Sequence, residues 1–201
     1  MRVISGSARG RKLEVPPGRR LRPTADRVKE ALFSIILSRE GSLEGIQLLD
    51  LCAGTGALGI EALSRGAGSA FFVENHRESA ELISRNIQLT GFAGKGRVLA
   101  REALAALGEL EEGGERFQLV FLDPPYHQGL TAQLLRRLAD SRLLDDSALV
   151  IAEFATGEEL AESFGTLQQC DRRRYGDTTI ALFNVQGSEF KVEIPNREPG
   201  T

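Results

Sequence analysis

The sequence predicts an α/β fold in which a mostly parallel sheet is covered by helices on both faces. Three observations lead there. Short apolar runs alternate with helical stretches along most of the chain. Those runs are continuously apolar, the pattern of strands buried on both sides. A glycine-rich turn, Gly54-x-Gly56-x-x-Gly59, joins the first of these runs to the helix that follows it.

Each element has its own signal. "RVIS" and "RKLEV" flank "GSARG", which predicts a β-hairpin with a glycine-rich turn. "PPGRRLRP" reads as a loop. Thr24 stands where it would cap a helix "ADRVKEALFSIIL", with Asp26 in the first turn near the positive end of the helix dipole. Val28, Ala31, Leu32, Ile35 and Ile36 recur in that stretch at helical spacing. Strands are expected over 46–51, 69–74, 96–100, 117–123 and 148–154. Helices are expected near 57–65, 76–90, 102–110, 129–139 and 157–163. Two last strands, near 166–173 and 178–185, have no helix between them and predict an antiparallel strand at one edge. The chain thus divides into a basic extension (1–23), one α/β domain (24–185) and a tail (186–201) with no assigned role.

Composition narrows the class. With 201 residues there is material for one sizeable core, and 41% hydrophobic with 26% charged residues exclude disorder as the starting assumption. No apolar run reaches the length of a membrane span, and "MRVISGSARGRK" lacks the apolar stretch of an export signal. Cys52 and Cys170 follow no metal spacing, and neither do His76 and His127. The expectation is reduced thiols, no metal and a cytoplasmic monomer. The net charge of −3 conceals an asymmetry. Residues 1–30 hold nine Lys or Arg against three acids, a surplus of six, so the other 171 residues carry −9. A basic segment on an acidic body suits a phosphate backbone. Arg9, Arg11, Lys12, Arg22 and Arg27 are its candidate RNA contacts. Arg22 and Thr24 could equally serve the carboxylate of a bound cofactor, and Arg172, Arg173 and Arg174 fit an RNA face or a charged edge strand equally well.

The chemistry starts at Asp50, in "LLDLCAGTGALGIEAL". Glycines let a ligand approach the backbone, and Glu74, about 20 residues on at the end of the next strand, can accept from both hydroxyls of a ribose. An adenosine-containing ligand follows. NAD is the standard competitor, but Asp50 just before the glycines is an awkward neighbour for a pyrophosphate and a good partner for an ammonium. S-adenosylmethionine carries that ammonium and no phosphate. After the third strand, Glu102 is placed to accept from the adenine amine, with the Ala103 N–H near the ring.

The fourth strand runs into Asp123, Pro124, Pro125 and Tyr126. Neither proline has an N–H, and both have a fixed φ, so the corner is stiff and offers only acceptors. An exocyclic amine suits it: Asp123 takes one hydrogen, the Pro124 carbonyl takes the other, and Tyr126 stacks on the base. Holding both hydrogens turns the nitrogen lone pair out of conjugation and toward a methyl donor, so positioning and electrostatics do the catalysis.

"DLCAGTGALGIEALSRGA", "FVENHRESAELISRNI" and "FLDPPY" resemble the amino-methyltransferases of the class I SAM-dependent, Rossmann-like fold. "SGSARGRKLEVPPGRRLRPTADRVKEALFSIIL" and "RRRYGDTTIALF" resemble, more narrowly, the RsmD family of bacterial enzymes that methylate a guanine N2 in 16S ribosomal RNA. The resemblance spans about residues 1–185. It implies a seven-stranded sheet with an amino-terminal hairpin, and the small ribosomal subunit or an assembly intermediate as substrate. It also implies that Asp50, Ala53, Gly54 and Gly56 line S-adenosylmethionine, that Glu74 holds its ribose, and that Asp123 to Tyr126 hold the base. The family's third-strand acid is commonly Asp; here it is Glu102, one methylene longer. Adenine-N6 methylation by the same corner, and a non-catalytic RNA-binding assembly factor, remain as alternatives.

Overall fold

The structure is a computed structural model that describes residues 1–16, 23–126 and 128–186, without the side chains of 23–26. Arg22, His127 and the tail from 187 onward lie outside the described residues, as does the side chain of Thr24. The elements in chain order are α1 (Pro23–Glu40), β1 (Gln47–Leu51), α2 (Ala57–Ser64), β2 (Ser69–Glu74), α3 (Arg77–Thr90), β3 (Gly96–Ala100), α4 (Ala103–Glu112), β4 (Phe117–Leu122), α5 (Leu130–Ala139), β5 (Leu144–Ala155), β6 (Ser163–Phe164), β7 (Leu167–Tyr175) and β8 (Thr178–Val185).

The strands form one sheet in the order β3-β2-β1-β4-β5-β8-β7-β6. β1 to β5 run parallel, and β8 and β7 return antiparallel. Successive residues of each buried strand face opposite sides. Leu49, Leu51, Val120, Leu122, Val150 and Ala152 join the core beneath α4 and α5. Leu48, Leu119, Phe121 and Ile151 join the core shared with α1, α2, α3 and the amino-terminal segment. Two buried faces explain why these strands read as unbroken apolar runs.

Strand order reverses between β1 and β4: the chain works outward to β3 on one side and to β5 on the other. Such a reversal leaves a crevice at the carboxyl ends of the two strands, where no crossover connection covers the sheet. The glycine-rich turn follows β1 and Asp123 follows β4, so both border this crevice.

Four local expectations are corrected. The amino-terminal hairpin is a narrow loop with one antiparallel bridge, Arg2 to Lys12, closed by Val3 N–H to Arg11 O and Leu13 N–H to Met1 O. Its tip has no ladder because α2 takes those groups: Ser64 Oγ donates to Ser5 O at 2.5 Å and accepts from Ala8 N–H at 2.9 Å. The first helix starts at Pro23, so Thr24 lies inside its first turn and does not cap it. Proline suits that place because the first helical N–H has no partner to lose. Residues 157–163 form no helix. Gly157 adopts φ 106°, Glu158 turns back to bond Ala155 N–H, and the strand pairing resumes as β6. That two-residue strand makes the sheet eight-stranded instead of seven-stranded.

The basic extension is fastened by a buried acid. Glu61 of α2, fully buried, accepts from Ile4 N–H at 2.8 Å and Ser5 N–H at 3.0 Å. It also pairs with Lys29 of α1 at 3.2 Å and Arg65 at 2.8 Å. Lys29 Nζ, itself only 5% exposed, donates to Arg2 O as well. Removing one partner of such a group leaves a charge without compensation in the interior. Glu61→Ala is therefore expected to cost about 3–5 kcal/mol of unfolding free energy, read from the denaturant midpoint. Also replacing Lys29 (Glu61→Leu with Lys29→Met) removes one of the two cations that pair with Glu61 and recovers part of that loss, while Arg65 and the Ile4 and Ser5 N–H groups still lack this acceptor. A Glu61→Ala midpoint equal to the wild type's contradicts this account.

Candidate active site

Three strand ends supply the site. After β1 the chain turns sharply: Cys52 takes φ 61°, the only described non-glycine residue with positive φ, followed by Gly54 at 58° and Gly56 at 75°. Backbone strain of this kind at a non-glycine residue is tolerated only where the surroundings enforce it. Here two acids do. Asp50 Oδ2 accepts from Gly59 N–H at 2.9 Å, tying α2 to β1. Glu74 Oε2 accepts from Gly54 N–H at 2.9 Å, and its Oε1 accepts from His76 N–H at 2.9 Å. Ala53 N–H reaches Val73 O at 3.0 Å.

The glycines of the motif have different duties. A Cβ on Gly59 would lie 2.3 Å from the Phe72 ring, so this residue lets α2 lie close against β2. A Cβ on Gly54 would meet nothing within 4 Å, so the backbone there faces open space in which a ligand can approach it. From behind, buried Asn86 of α3 donates to Thr55 O at 3.0 Å and brackets the main chain of Glu14, accepting from its N–H at 2.7 Å and donating to its carbonyl at 3.0 Å.

Four carboxylates gather around this turn. The Cys52 thiol is pushed up to about 12, first by burial and then by Glu74, Asp123, Asp50 and Glu102. The acids predicted from separate strand ends therefore share one neighbourhood. Asp50 is 1% exposed, and burial pushes its carboxyl up to about 7 against the opposing help of the Gly59 N–H. Glu102 is exposed just before α4, and Asn75 donates to its Oε1 at 3.1 Å. Ala103 opens α4, so its N–H is among the helix's unpaired first donors. A rim of acids favours ammonium, hydroxyl and amine groups and repels phosphates.

Across the crevice, Asp123 N–H donates to Leu51 O at 3.3 Å, which stitches the end of β4 to that of β1. Asp123 and Pro125 are exposed, Pro124 is buried, and Tyr126 is half-buried. The Tyr126 hydroxyl donates to Glu153 Oε1 of β5 at 2.7 Å and lies 3.0 Å from Thr178 Oγ1 of β8. Burial raises the phenol's pKa above its ordinary value.

The basic candidates have mixed positions. Arg9, Lys12 and Arg27 are exposed. Arg11 is exposed too, yet its Nη1 donates to Leu89 O at 2.7 Å, so it also caps the end of α3. Thr55 Oγ1 lies 3.6 Å from Met1 Sδ, which brings the start of the extension to the glycine-rich turn. On β7, Arg173 pairs with Asp171 at 3.0 Å, Arg172 stacks over Phe154 at 5.1 Å, and Arg174 donates to Gly176 O. Sequence reasoning missed Asn86, Glu153 and Thr178. Glu153 did leave a signal: one acid inside the apolar run "ALVIAEF".

The raised Asp50 carboxyl gives a pH signature. Between the ordinary value of 3.8 and about 7, the folded state holds this proton and the unfolded state does not. Stability contributed by protonation is therefore present at low pH and lost as pH rises through about 7. Asp50→Asn retains an acceptor for Gly59 N–H and cannot ionise. Its melting temperature minus the wild type's is expected to rise by several degrees from pH 4 to pH 8, with the rise confined to pH 4–7. A flat difference contradicts a buried, titrating Asp50.

The chain is similar in sequence and fold to known proteins. The sequence model of the family described as "Conserved hypothetical protein 95" matches residues 1–184. YlbH of Bacillus subtilis (strain 168) is 37% identical over 190 residues, covering 93% of this chain and 100% of the relative. Ribosomal RNA small subunit methyltransferase D of Escherichia coli (strain K12) is 40% identical over 153 residues, covering 76% of this chain and 74% of that one. The solved structure of the Escherichia coli protein yhhF superposes with a TM-score of 0.81 at 35% identity, covering 94% of this chain and 99% of that chain. The chain belongs to the Conserved hypothetical protein 95 family, the RsmD family of ribosomal RNA small subunit methyltransferase D.

Proposed function

We propose that this protein transfers a methyl group from S-adenosylmethionine to the exocyclic N2 amine of a guanine in 16S ribosomal RNA, on the small ribosomal subunit or an assembly intermediate. One observation carries the reading: the corner Asp123-Pro124-Pro125-Tyr126, whose two prolines have no N–H, borders the same crevice as an open glycine turn ringed by carboxylates. Its relatives' activity on ribosomal RNA supports the substrate class.

The residues present fit S-adenosylmethionine. Asp50 spends one oxygen on Gly59 N–H and keeps lone pairs for an ammonium. Glu74 has capacity beyond its two backbone bonds for ribose hydroxyls. Ala53, Gly54 and Gly56 would line it, Glu102 and the Ala103 N–H would take its adenine, and Thr24, whose side chain lies outside the described residues, would contact its methionine carboxylate. When bound, S-adenosylmethionine supplies an electrophilic methyl on a sulfonium. The chain's own part is positioning. Asp123 accepts one amine hydrogen and the Pro124 carbonyl the other, so the nitrogen presents its lone pair along one line. Tyr126 offers its ring face to the base. As the nitrogen attacks the methyl carbon, the carbon–sulfur bond would break and leave a neutral thioether; the acid rim stabilises positive charge on the attacking nitrogen until Asp123 or water takes the proton. A paired guanine hides its amine, so the target base is unpaired or flipped out. Arg9, Arg11, Lys12, Arg22 and Arg27 would hold the flanking backbone.

Labelled-methyl transfer to unmodified small subunits, followed by nucleoside analysis, is expected to yield N2-methylguanosine. N6-methyladenosine would transfer the reading to adenine, and no product would leave RNA binding alone. Asp123→Ala should lower turnover by about 10²–10³-fold or more while S-adenosylmethionine still binds. Full turnover would remove Asp123 from the mechanism. Replacing Arg9, Arg11 and Lys12 together with Ala should weaken RNA binding and reduce the slope of log affinity against log salt by about 2. An unchanged slope would remove these three from the interface.

A further inference from the structure

Glu153 is the one carboxylate in the apolar half of β5, residues 148–155, with Ile151, Ala152, Phe154 and Ala155 buried around it. It pairs across the ladder with Ile180 of β8. Burial raises its pKa, so keeping a charge there costs stability that an apolar residue would not. What it receives in return is the Tyr126 hydroxyl at 2.7 Å. Thr178 Oγ1, 3.0 Å from the same hydroxyl, closes a second contact from β8. Tyr126 is thus held at both ends. Its Cα follows two prolines with fixed φ, and its hydroxyl is docked on the β5–β8 ladder. A ring fixed at both ends cannot swing about χ1 or tip.

We infer that Glu153 is a positioning residue for methyl transfer: with Thr178 it fixes the plane of the Tyr126 ring, and through that ring the plane of the target base beside Asp123 and Pro124. The inference rests on the function proposed above. Chemistry that depends on a lone-pair direction is sensitive to such a tilt, since a misplacement of about 1 Å costs on the order of 10²-fold. Ground-state binding of a large RNA, spread over many phosphates, is not. Loss of Glu153 should therefore lower kcat and leave KM for the subunit and affinity for S-adenosylmethionine nearly unchanged.

The test is a double-mutant cycle on unmodified small subunits, using Glu153→Ala, Tyr126→Phe and the pair. Each single variant is expected to lower kcat by about 10- to 100-fold, and the pair no further than the worse single. Glu153→Gln, which keeps an acceptor, should restore at least about a third of the rate. It also serves if Glu153→Ala does not fold. Independently of activity, the chain has two tyrosines, so in a Tyr175→Phe background the 13Cζ tyrosine resonance reports Tyr126 alone. That resonance should move in Glu153→Ala and in Glu153→Gln. An active wild type with equally active Glu153 variants, losses that multiply in the pair, or an unmoved Tyr126 resonance overturns the inference. A wild type that methylates no small-subunit RNA refutes the functional reading instead.

Discussion

The hydrogen bond from Gly59 N–H to the Asp50 carboxylate is the constraint on which the crevice depends. A carboxylate in an inner strand buried on both faces is expensive, and the structure keeps it 1% exposed. The bond ties α2 to β1 across the turn, and the turn between them is what presents Gly54 to open space. Glu74 repeats the device from β2, with its two oxygens spent on two backbone N–H groups. The left-handed Cys52 is the cost of this tightness. Each brace is itself an acid, so stiffness and negative charge arrive together. The groups that shape the turn are the groups a cationic, hydroxyl-bearing ligand would meet.

Much of this was legible in the sequence because parallel strands with two buried faces leave no ambiguity of period. "LLDL", "AFFVE" and "LVFLD" are apolar at every position except the acids at or near their carboxyl ends, and those acids border the crevice. A strand end is a place a sequence can mark, so Asp50, Glu74 and Asp123 could be found by position alone. The misreadings have equally local causes. "EELAESF" carries the spacing of a helix, but Gly157 takes a left-handed conformation while Leu160 and Phe164 are anchored against α5's side of the sheet. The amino-terminal hairpin looked like two strands because its flanks are apolar and basic. Its base pairs with itself, but Ile4, Ser5 and Ala8 pair instead with α2, more than 50 residues away.

The polar residues that sequence reasoning missed share a property. Glu61, Asn86 and Glu153 are single polar side chains in apolar or helical text, Thr178 opens a strand straight after a polar turn, and each has a partner 27 to 72 residues distant. No spacing rule covers a contact of that kind. Only the fold brings the ends together, and it does so wherever a backbone group or a phenol would otherwise be buried without a partner.

The Glu61 pairing carries one more consequence. Val3, Ala8 and Leu13 sit in the same core as α1, α2 and α3, so residues 1–16 are no loose arm. Their exposed arginines and lysine ride on a frame continuous with the crevice. A flexible tether would let an enzyme search for its target and tolerate many shapes around it. If these residues grip the RNA backbone as proposed, a fixed mount would work like a template: the spacing between the gripped backbone and the reacting base would be set in advance, and only a nucleic-acid surface already folded to that spacing would engage both.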